Sequence, residues 1–192
     1  MNPSSASFQG IRLRAFESPL GPMLGGATTD GVCLCEFGDR GREDRIIAQL
    51  KRRHHCDVTP PEEWQPELHA ESPQAKHLEL LEDQIAQYFS GDRREFDLPL
   101  DLGGTPWQQR VWSALMEIAY GATSSYGGLA ERLGKPGGSR AVGRANGENP
   151  VSIVVPCHRV IQADGGLCGY GGGLHRKRWL LDLEAGTQQL SF

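Results

Sequence analysis

A stretch bearing proline, glycine and aspartate interrupts the chain near its middle and separates two parts with different patterns. The stretch reads FDLPLDLGGTP over residues 96–106. These residue types favour turns and linkers over the interiors of helices and strands. We therefore predict one domain over residues 1–96, a linker over residues 97–104 and a second domain over residues 105–192. With 192 residues and 38% hydrophobic content, the chain is long enough to bury one good core or two small ones.

The first part opens with residues that alternate between apolar and polar, IRLRAFESPLGPMLGGATTDGVCLCEFG. Because proline and glycine break the alternation, it predicts two or three antiparallel strands joined by tight turns. Two later segments, GREDRIIAQLKRRHH and SPQAKHLELLEDQIAQYFSG, carry apolar residues at helical spacing. In the second segment, Ser72 and Pro73 mark a helix start and Gly91 marks its end. We expect both helices to pack on the sheet.

The second part opens with TPWQQRVWSALMEIAYG, in which Thr105 caps a helix and Pro106 takes its first position. An apolar stripe along this helix is expected to be core, namely Trp107, Val111, Trp112, Leu115 and Ile118. Two short helices should follow, from about Tyr126 to Leu133 and from about Ser139 to Asn146, with a glycine-rich break between them. This order is the outline of a DNA-binding helix-turn-helix, although any small helical hairpin has the same outline.

The second short helix, SRAVGRANG, is rich in small residues, which include Ser139, Ala141 and Gly143. Small residues let a helix backbone approach its partner closely, which suits the minor groove of DNA better than base-specific reading in the major groove. Arg140 and Arg144 are four residues apart and share a face. We expect Arg140 to reach into the base stack and Arg144 to meet phosphate.

The distribution of charge is compatible with a DNA-binding second domain, although the whole chain has a net charge of −4. The net charge is −7 over residues 1–104 and +3 over residues 105–192. An excess of three positive charges over about ninety residues also arises by chance. The charge alone therefore does not decide between a DNA-binding domain and a chance distribution.

The segment VSIVVPCHRV places a thiol and an imidazole side by side. Its β-branched residues predict a buried strand over residues 151–155 that ends at Pro156, with Cys157 at the strand end. Neighbouring strand residues point to opposite faces, so Cys157 and His158 cooperate only if the chain turns at Pro156 or a water bridges them. The alternative is that Cys157 is a small buried hydrophobic residue beside an incidental histidine.

Cysteine usage and hydropathy bear on the compartment and on metal binding. The chain has 5 cysteines, an odd number that predicts free thiols in a reducing environment. No apolar stretch approaches the roughly 20 residues that span a bilayer, and the first residues lack a signal-peptide pattern, so we expect a cytoplasmic protein. We predict no metal site in the first domain, because its candidate ligands lack paired C-x-x-C spacing. These candidates are Cys33, Cys35, His54, His55 and Cys56.

The ordered motifs RAVGRANGENPVSIVV, PCHRV and GYGGGLHRKRWLLDLE closely resemble the O6-alkylguanine-DNA alkyltransferases, also called methylated-DNA:protein-cysteine methyltransferases. The resemblance covers about residues 105–184, and the first half is similar in layout only. It implies an α/β (α+β) fold, in which a small ribonuclease-H-like sheet-and-helix domain precedes a helical, winged helix-turn-helix-like domain.

The activity that the resemblance implies is direct reversal of DNA damage. A monomer without a cofactor or metal would bind double-stranded DNA through the minor groove and flip out O6-alkylguanine. It would then move the alkyl group to its own cysteine, with O4-alkylthymine as a further candidate substrate. A thioether offers no acyl carbon for water to attack, so each molecule would react once.

The resemblance also assigns residue roles. Cys157 is the nucleophile, since displacement at an alkyl carbon needs a soft thiolate, and His158, oriented by Glu184, removes its proton through a water. Tyr126 donates to the guanine ring as negative charge develops, and Asn149 braces the turn that holds the cysteine. The expected substrate-binding residues are Ser152, Val160, Tyr170 and Gly171.

Two positions depart from relatives, and three other functions stay open. Cys168 stands where relatives usually carry glycine, serine or threonine. Some relatives have a larger residue at the position of Gly171, which predicts a more open rim of the substrate pocket here.

A cysteine hydrolase would need an oxyanion site and would turn over repeatedly. A methylation-responsive transcription regulator would need a further DNA-binding or effector domain. A non-catalytic lesion sensor would lack the nucleophile.

Overall fold

The computed structural model describes residues 10–38, 43–63 and 71–187. Its first domain contains one four-stranded sheet made of β1 (Ile11–Phe16), β2 (Met23–Ala27), β3 (Val32–Phe37) and β4 (Val58–Thr59). The strand order is β3-β2-β1-β4, with β1–β2 and β2–β3 antiparallel and β1–β4 parallel. The prediction of two or three antiparallel strands is confirmed, and their number is three. The fourth was not predicted, because two residues are too few to show an alternating pattern.

Both predicted helices of this domain are confirmed, as α1 (Glu43–His54) and α2 (Pro73–Phe89). The Ser72 side chain accepts a hydrogen bond from the amide of Ala75 and caps α2, which ends just before Gly91 at a φ of 85°. The helices pack on the sheet in two separate apolar clusters. Ile46 and Leu50 of α1 belong to one cluster, while buried α2 residues belong to the other, which extends into the second domain.

Part of the segment over residues 97–104, predicted as a linker, pairs with Val32 at the outer edge of β3. The amide of Val32 donates to the carbonyl of Pro99 at 2.8 Å, and the amide of Asp101 donates back to the carbonyl of Val32 at 2.9 Å. The Gln84 side chain bonds both backbone groups of Asp97 at 2.9 Å. These contacts hold the segment against the first domain.

The second domain is mainly helical. Its helices are α3 (Pro106–Met116), α4 (Tyr126–Arg132), α5 (Ser139–Gly147) and α6 (Leu174–Glu184), and β5 (Ser124–Ser125) pairs in parallel with β6 (Val160–Ile161). The predicted helix start at Thr105 is confirmed, since its side chain and that of Gln108 form a reciprocal capping box. The two short helices, α4 and α5, are also confirmed.

The apolar stripe of α3 holds α5 in place. Four of its five residues are buried, although Ile118 lies just beyond the end of α3, and Trp107 is half-buried. The indole N–H of Trp112 donates to the carbonyl of Ala145 at 2.9 Å, and that of Trp107 donates to Ala141 at 3.3 Å. The two carbonyls are four residues apart on α5, so the two tryptophans fix the position of this helix along one side.

The predicted strand over residues 151–155 is wrong, although all five residues are buried. The chain turns there, with Ile153 at a φ of 73° and the amide of Val155 donating to the carbonyl of Val151 at 2.9 Å. The start of this turn pairs with the outer edge of β3. The amide of Cys35 donates to the carbonyl of Pro150 at 2.9 Å, and the amide of Ser152 donates to the carbonyl of Cys35 at 2.7 Å. This pairing joins the two domains.

Within the described ranges, no helix combines the length and the apolar character needed to cross a membrane.

Candidate active site

Cys157 lies directly after the buried turn and not at a strand end. It begins a short 3-10 helix, Cys157–Arg159, and is 5% exposed. Asn149 supports the turn from within, because its side-chain oxygen accepts from the amide of Val151 at 3.0 Å and its side-chain nitrogen donates to the carbonyl of Val155 at 2.8 Å. Both ends of the turn are thereby tied to one side chain, which fixes the chain just before the cysteine.

Glu184, at the end of α6, accepts hydrogen bonds from both domains. In the second domain the donors are His158 Nε2 at 2.9 Å, the Arg159 guanidinium at 2.9 Å and the amide of Gly121 at 3.1 Å. The hydroxyl of Tyr88 in α2 donates at 2.8 Å. Burial alone would raise the pKa of Glu184, but the hydrogen bonds and charges of His158 and Arg159 outweigh it and lower the pKa to about 2.

His158 is fully buried and oriented by Glu184. Since Nε2 faces an ionised carboxylate, we assign the proton of the neutral ring to Nε2, which leaves a lone pair on Nδ1. Nδ1 is buried and has no hydrogen-bond partner among the described residues, so His158 does not bond Cys157 directly. Burial lowers the pKa of His158, and Glu184 opposes this shift. The ring is therefore a neutral base at pH 7.

The thiol of Cys157 is protonated at rest. Burial raises its pKa to about 11, hydrogen bonds with Asn149 and Ser152 and the charge of Lys177 oppose the rise, and Glu36 adds to it. A thiol with this pKa is a poor nucleophile at neutral pH until a base removes its proton. The turn at Pro156 brings that base, His158, into the same short helix.

Lys177 fixes the loop after Cys157. Its ammonium is buried in α6 and donates to the carbonyls of Val160 at 2.6 Å and Cys168 at 3.0 Å. Sequence reasoning missed Lys177 because the run RKRWLLDLE looks like a solvated helix face. It also missed Arg159, although that residue directly follows the Cys-His pair, and it missed Tyr88 and Glu36 of the first domain.

Three of the predicted pocket residues, Tyr126, Ser152 and Tyr170, lie near Cys157. Burial raises the pKa of Tyr126, and so do a hydrogen bond with Cys168 and the nearby charges of Cys168 and Cys157. The hydroxyl of Tyr170 is buried, and burial followed by the charge of Cys157 raises its pKa. Of the predicted substrate-binding members, Val160 and Ser152 are buried and Gly171 is exposed.

Helix α5 lies against this pocket. A Cβ added to Gly143 would sit 3.6 Å from the ring of Tyr126, so α5 packs against the first residue of α4. Ser139 and Arg140 are exposed at the start of α5. Arg144 is 82% exposed along its side chain and pairs with Glu148 at 3.1 Å. The exposed arginines are available to a ligand on the outer face of the helix.

The cysteines of the first domain form no metal centre among the residues that the structure describes, where no three His, Cys, Asp or Glu side chains are grouped for one. Cys33 and Cys35 are buried in different apolar clusters. Burial is the main cause that raises the pKa of both thiols, which disfavours the thiolate that a metal needs.

The fold and the site together define a protein with a buried cysteine, a histidine–glutamate pair behind it and a helix-turn-helix beside it. Residues 11–102 match the family described as 6-O-methylguanine DNA methyltransferase, ribonuclease-like domain, and residues 106–186 match its DNA binding domain. The chain belongs to the 6-O-methylguanine DNA methyltransferase family.

Similar proteins come from bacteria and archaea. The methylated-DNA--protein-cysteine methyltransferase of Mycobacterium tuberculosis is 44% identical over 174 residues, which cover 91% of this chain and 92% of that protein. The enzyme of the same name from Methanosarcina acetivorans is 40% identical over 172 residues, or 88% and 95% of the two chains.

Solved structures agree with these matches. The crystal structure of Mycobacterium tuberculosis OGT in complex with DNA is 40% identical, has a TM-score of 0.73 and covers 93% of this chain and 96% of its own. The O6-methylguanine-DNA methyltransferase of the archaeon Pyrococcus kodakaraensis is 27% identical, with a TM-score of 0.60 and coverage of 91% and 98%. Both domains of the fold are therefore shared.

Proposed function

We propose that this protein repairs DNA by moving the alkyl group of O6-alkylguanine to the sulfur of Cys157. The observation that carries the proposal is the arrangement of a buried thiol beside a neutral His158 whose Nε2 is held by the ionised Glu184. Membership of the methyltransferase family and the M. tuberculosis relatives support the same activity.

The reaction begins with proton removal. A water between the thiol and His158 Nδ1 passes the proton of Cys157 to the ring, and the buried carboxylate of Glu184 stabilises the imidazolium that forms. The sulfur then attacks the alkyl carbon in line as the bond from that carbon to O6 breaks. Tyr126 donates a hydrogen bond to the guanine ring as it takes up the negative charge. The guanine anion then takes up one proton from solvent, and the His158 imidazolium gives up the proton that it received. The products are a thioether on Cys157, an unmodified guanine and a neutral His158.

The target base reaches Cys157 only if it leaves the duplex. We propose that α5 binds the minor groove, that Arg140 fills the gap left by the flipped base and that Arg144 meets phosphate, with Ser139, Ala141 and Gly143 allowing close approach. The DNA complex of the M. tuberculosis relative supports DNA binding by this fold. Ser152, Val160, Tyr170 and Gly171 would then line the base and its alkyl group.

We propose that the protein acts as a monomer in the cytoplasm and that its two domains span residues 1–96 and 105–192. The odd number of cysteines, 5, supports a reducing compartment. O4-alkylthymine is proposed as a further substrate, because it offers the same alkyl–oxygen bond to the sulfur.

Intact mass spectrometry tests the proposal directly. After incubation with a duplex that contains O6-methylguanine, the protein should gain about 14 Da, one CH₂ group, and peptide mapping should place the gain on Cys157. The gain should stop at one per molecule. Cys157→Ser, with a nearly isosteric but far less acidic hydroxyl, should gain nothing, and an unmethylated duplex is the second control. Repeated turnover on an acyl substrate would favour a cysteine hydrolase instead.

A further inference from the structure

A cleft of about 570 Å³ lies between the two domains, beside the end of α5. The first domain contributes α1 and part of β3, and the second contributes the start of α3, the end of α5 and the segment that follows it. Among the described residues that line the cleft, two are acidic, Glu36 and Glu148. Four are arginines, three of them on α1 and one on α5, namely Arg45, Arg52, Arg53 and Arg144.

The two glutamates are matched by two of the arginines. The side chain of Glu148 pairs with Arg144 at 3.1 Å, and its backbone carbonyl accepts from Arg53 at 3.3 Å. Burial lowers the pKa of Arg53, and the charges of Cys33, Glu148 and Glu36 oppose this shift, so Arg53 lies near both glutamates. The acidic charge of the cleft is therefore countered by Arg53 and Arg144.

Within the described residues, Arg45 and Arg52 have no such partner. Both are exposed, and neither takes part in an ion pair there. They are seven residues apart, so both lie on the face of α1 that lines the cleft. At about 1.5 Å of rise per residue they are roughly 10 Å apart along the helix, a length that holds about three phosphates of one DNA strand.

Arg144 connects this face of α1 to the proposed DNA-binding helix. Its side chain is exposed and lines the cleft, and it lies one turn after Arg140 on α5. A duplex whose minor groove holds α5 places a phosphate at Arg144, so the backbone that continues from there passes the opening of the cleft. Guanidinium groups bind phosphate oxygens through paired hydrogen bonds, which fits Arg45 and Arg52 to the next phosphates.

The acidic character of the first part of the chain does not oppose this fit. The net charge is −7 over residues 1–104, but charges in water act over about 8 Å at physiological salt. Locally, the last turn of α1 is basic, with Lys51, Arg52, Arg53 and His54.

We propose that Arg45 and Arg52 of the first domain, together with Arg144, form a second phosphate-binding surface that holds the backbone of the DNA duplex bound by α5. This proposal rests on the proposed binding of DNA through α5. It gives the first domain a direct part in holding the substrate.

The salt dependence of binding tests the proposal. Binding of a duplex with O6-methylguanine is measured in Cys157→Ser, which does not consume the lesion, and in the same protein with Arg45→Gln and Arg52→Gln. Each phosphate contact adds about 0.9 to the slope of log K against log salt, so the slope should fall by about 1.8 when both arginines are replaced. Between about 50 and about 200 mM salt, the protein with both arginines should lose roughly tenfold more affinity than the double variant.

The matched control is Lys51→Gln, an exposed cation of the same helix that does not line the cleft. It should change the slope by less than about 0.5. The single variants Arg45→Gln and Arg52→Gln, each with about half of the full effect, replace the double variant if that protein does not fold. A slope that is unchanged by the arginine substitutions would overturn the proposal.

Neutral methylphosphonate linkages separate a direct contact from a general loss of charge. A run of about three such linkages, the number that Arg45 and Arg52 span, is moved along each strand beside the lesion. At one position the run should weaken binding when both arginines are present and have no effect in the double variant. Equal losses in both proteins at every position would overturn the proposal. If Arg144→Ala left duplex binding unchanged, the proposed DNA binding through α5 would fail, and this proposal with it.

Discussion

At the scale of single residues, Glu184 links the chemistry to stability. It is an ionised carboxylate without exposed side-chain surface, and its charge is matched by Arg159 and by hydrogen bonds from His158, Tyr88 and Gly121. A buried carboxylate remains ionised only when such donors replace water. The same bonds that hold His158 for catalysis therefore hold α6 to the rest of the molecule.

We predict that Glu184→Gln slows alkyl transfer and also changes how stability depends on pH. The folded pKa of about 2 lies below the ordinary value of 4.5, so the stabilisation is fully present above about pH 4.5 and is lost as pH falls towards 2. A shift of that size corresponds to about 3 kcal/mol. Urea unfolding from pH 7 to pH 2.5 should show the difference between wild type and variant shrinking in this window. A pH-independent difference would contradict the prediction.

At the scale of elements, the turn before Cys157 depends on one side chain. Asn149 bonds a donor at one end of the turn and an acceptor at the other, and Ile153 holds a left-handed conformation between them. A β-branched residue with a positive φ is strained, and it persists only where the surroundings impose it.

We predict that Asn149→Ala destabilises the protein by about 2–4 kcal/mol, because the amide of Val151 and the carbonyl of Val155 lose their partner in a buried site. Alkyl transfer should fall further than the loss of folded protein explains, since Cys157 follows the turn directly. Thermal unfolding and single-turnover rates of the folded fraction check this. Asn146→Ala is the matched control, because its contact with the carbonyl of Cys157 is long, at 3.5 Å. A larger rate loss in Asn146→Ala would count against the role of Asn149.

Helix α5 gives the second prediction at this scale. Arg140 is exposed at the start of the helix, while Arg144 is paired with Glu148. Arg140→Ala should slow repair of O6-alkylguanine in duplex DNA much more than reaction with the free alkylated base, which needs no flipping. Arg144→Ala should instead weaken DNA binding and reduce its dependence on salt. Equal slowing of both reactions in Arg140→Ala would make Arg140 a pocket or folding residue.

At the scale of the whole molecule, the first domain contributes directly to the site in the second. Tyr88 of α2 donates to Glu184, Glu36 of β3 bonds Ser152, and the edge of β3 pairs with the turn that precedes Cys157. The segment 97–104 pairs with the same strand. The two domains therefore share one site, and we regard Tyr88 as a positioning residue that acts through Glu184 and His158.

We predict that Tyr88→Phe slows alkyl transfer by about 3- to 10-fold and moves the acid limb of its pH profile to higher pH. Without the hydroxyl, Glu184 interacts more strongly with His158 and raises the pKa of the ring, so His158 loses its free lone pair at a higher pH. The measurement is the single-turnover rate between pH 5 and pH 8. Tyr120→Phe is the control, since Tyr120 packs edge-on to Tyr88 at 6.1 Å. An unchanged pH profile in Tyr88→Phe would leave its hydroxyl a purely structural role.

The sequence by itself determined the local elements and the family. Local signals depend only on neighbours within a few residues, so the sequence predicts them without tertiary structure. They include the caps at Ser72 and Thr105, the apolar periodicity of the longer helices and the glycine break before α5. The ordered motifs around Cys157 carried the resemblance to the alkyltransferases, and the comparisons with known proteins confirm it.

Tertiary structure alone decided the turn at residues 151–155 and the partners of the catalytic groups. The β-branched composition of that segment favoured a strand, but the Asn149 bonds and the edge of β3 imposed a turn. Tyr88 and Glu36 are distant in sequence from Glu184 and Ser152, and no local pattern marks a contact across about a hundred residues. Local propensity specifies elements, whereas the packing of one domain on the other specifies which buried charges meet.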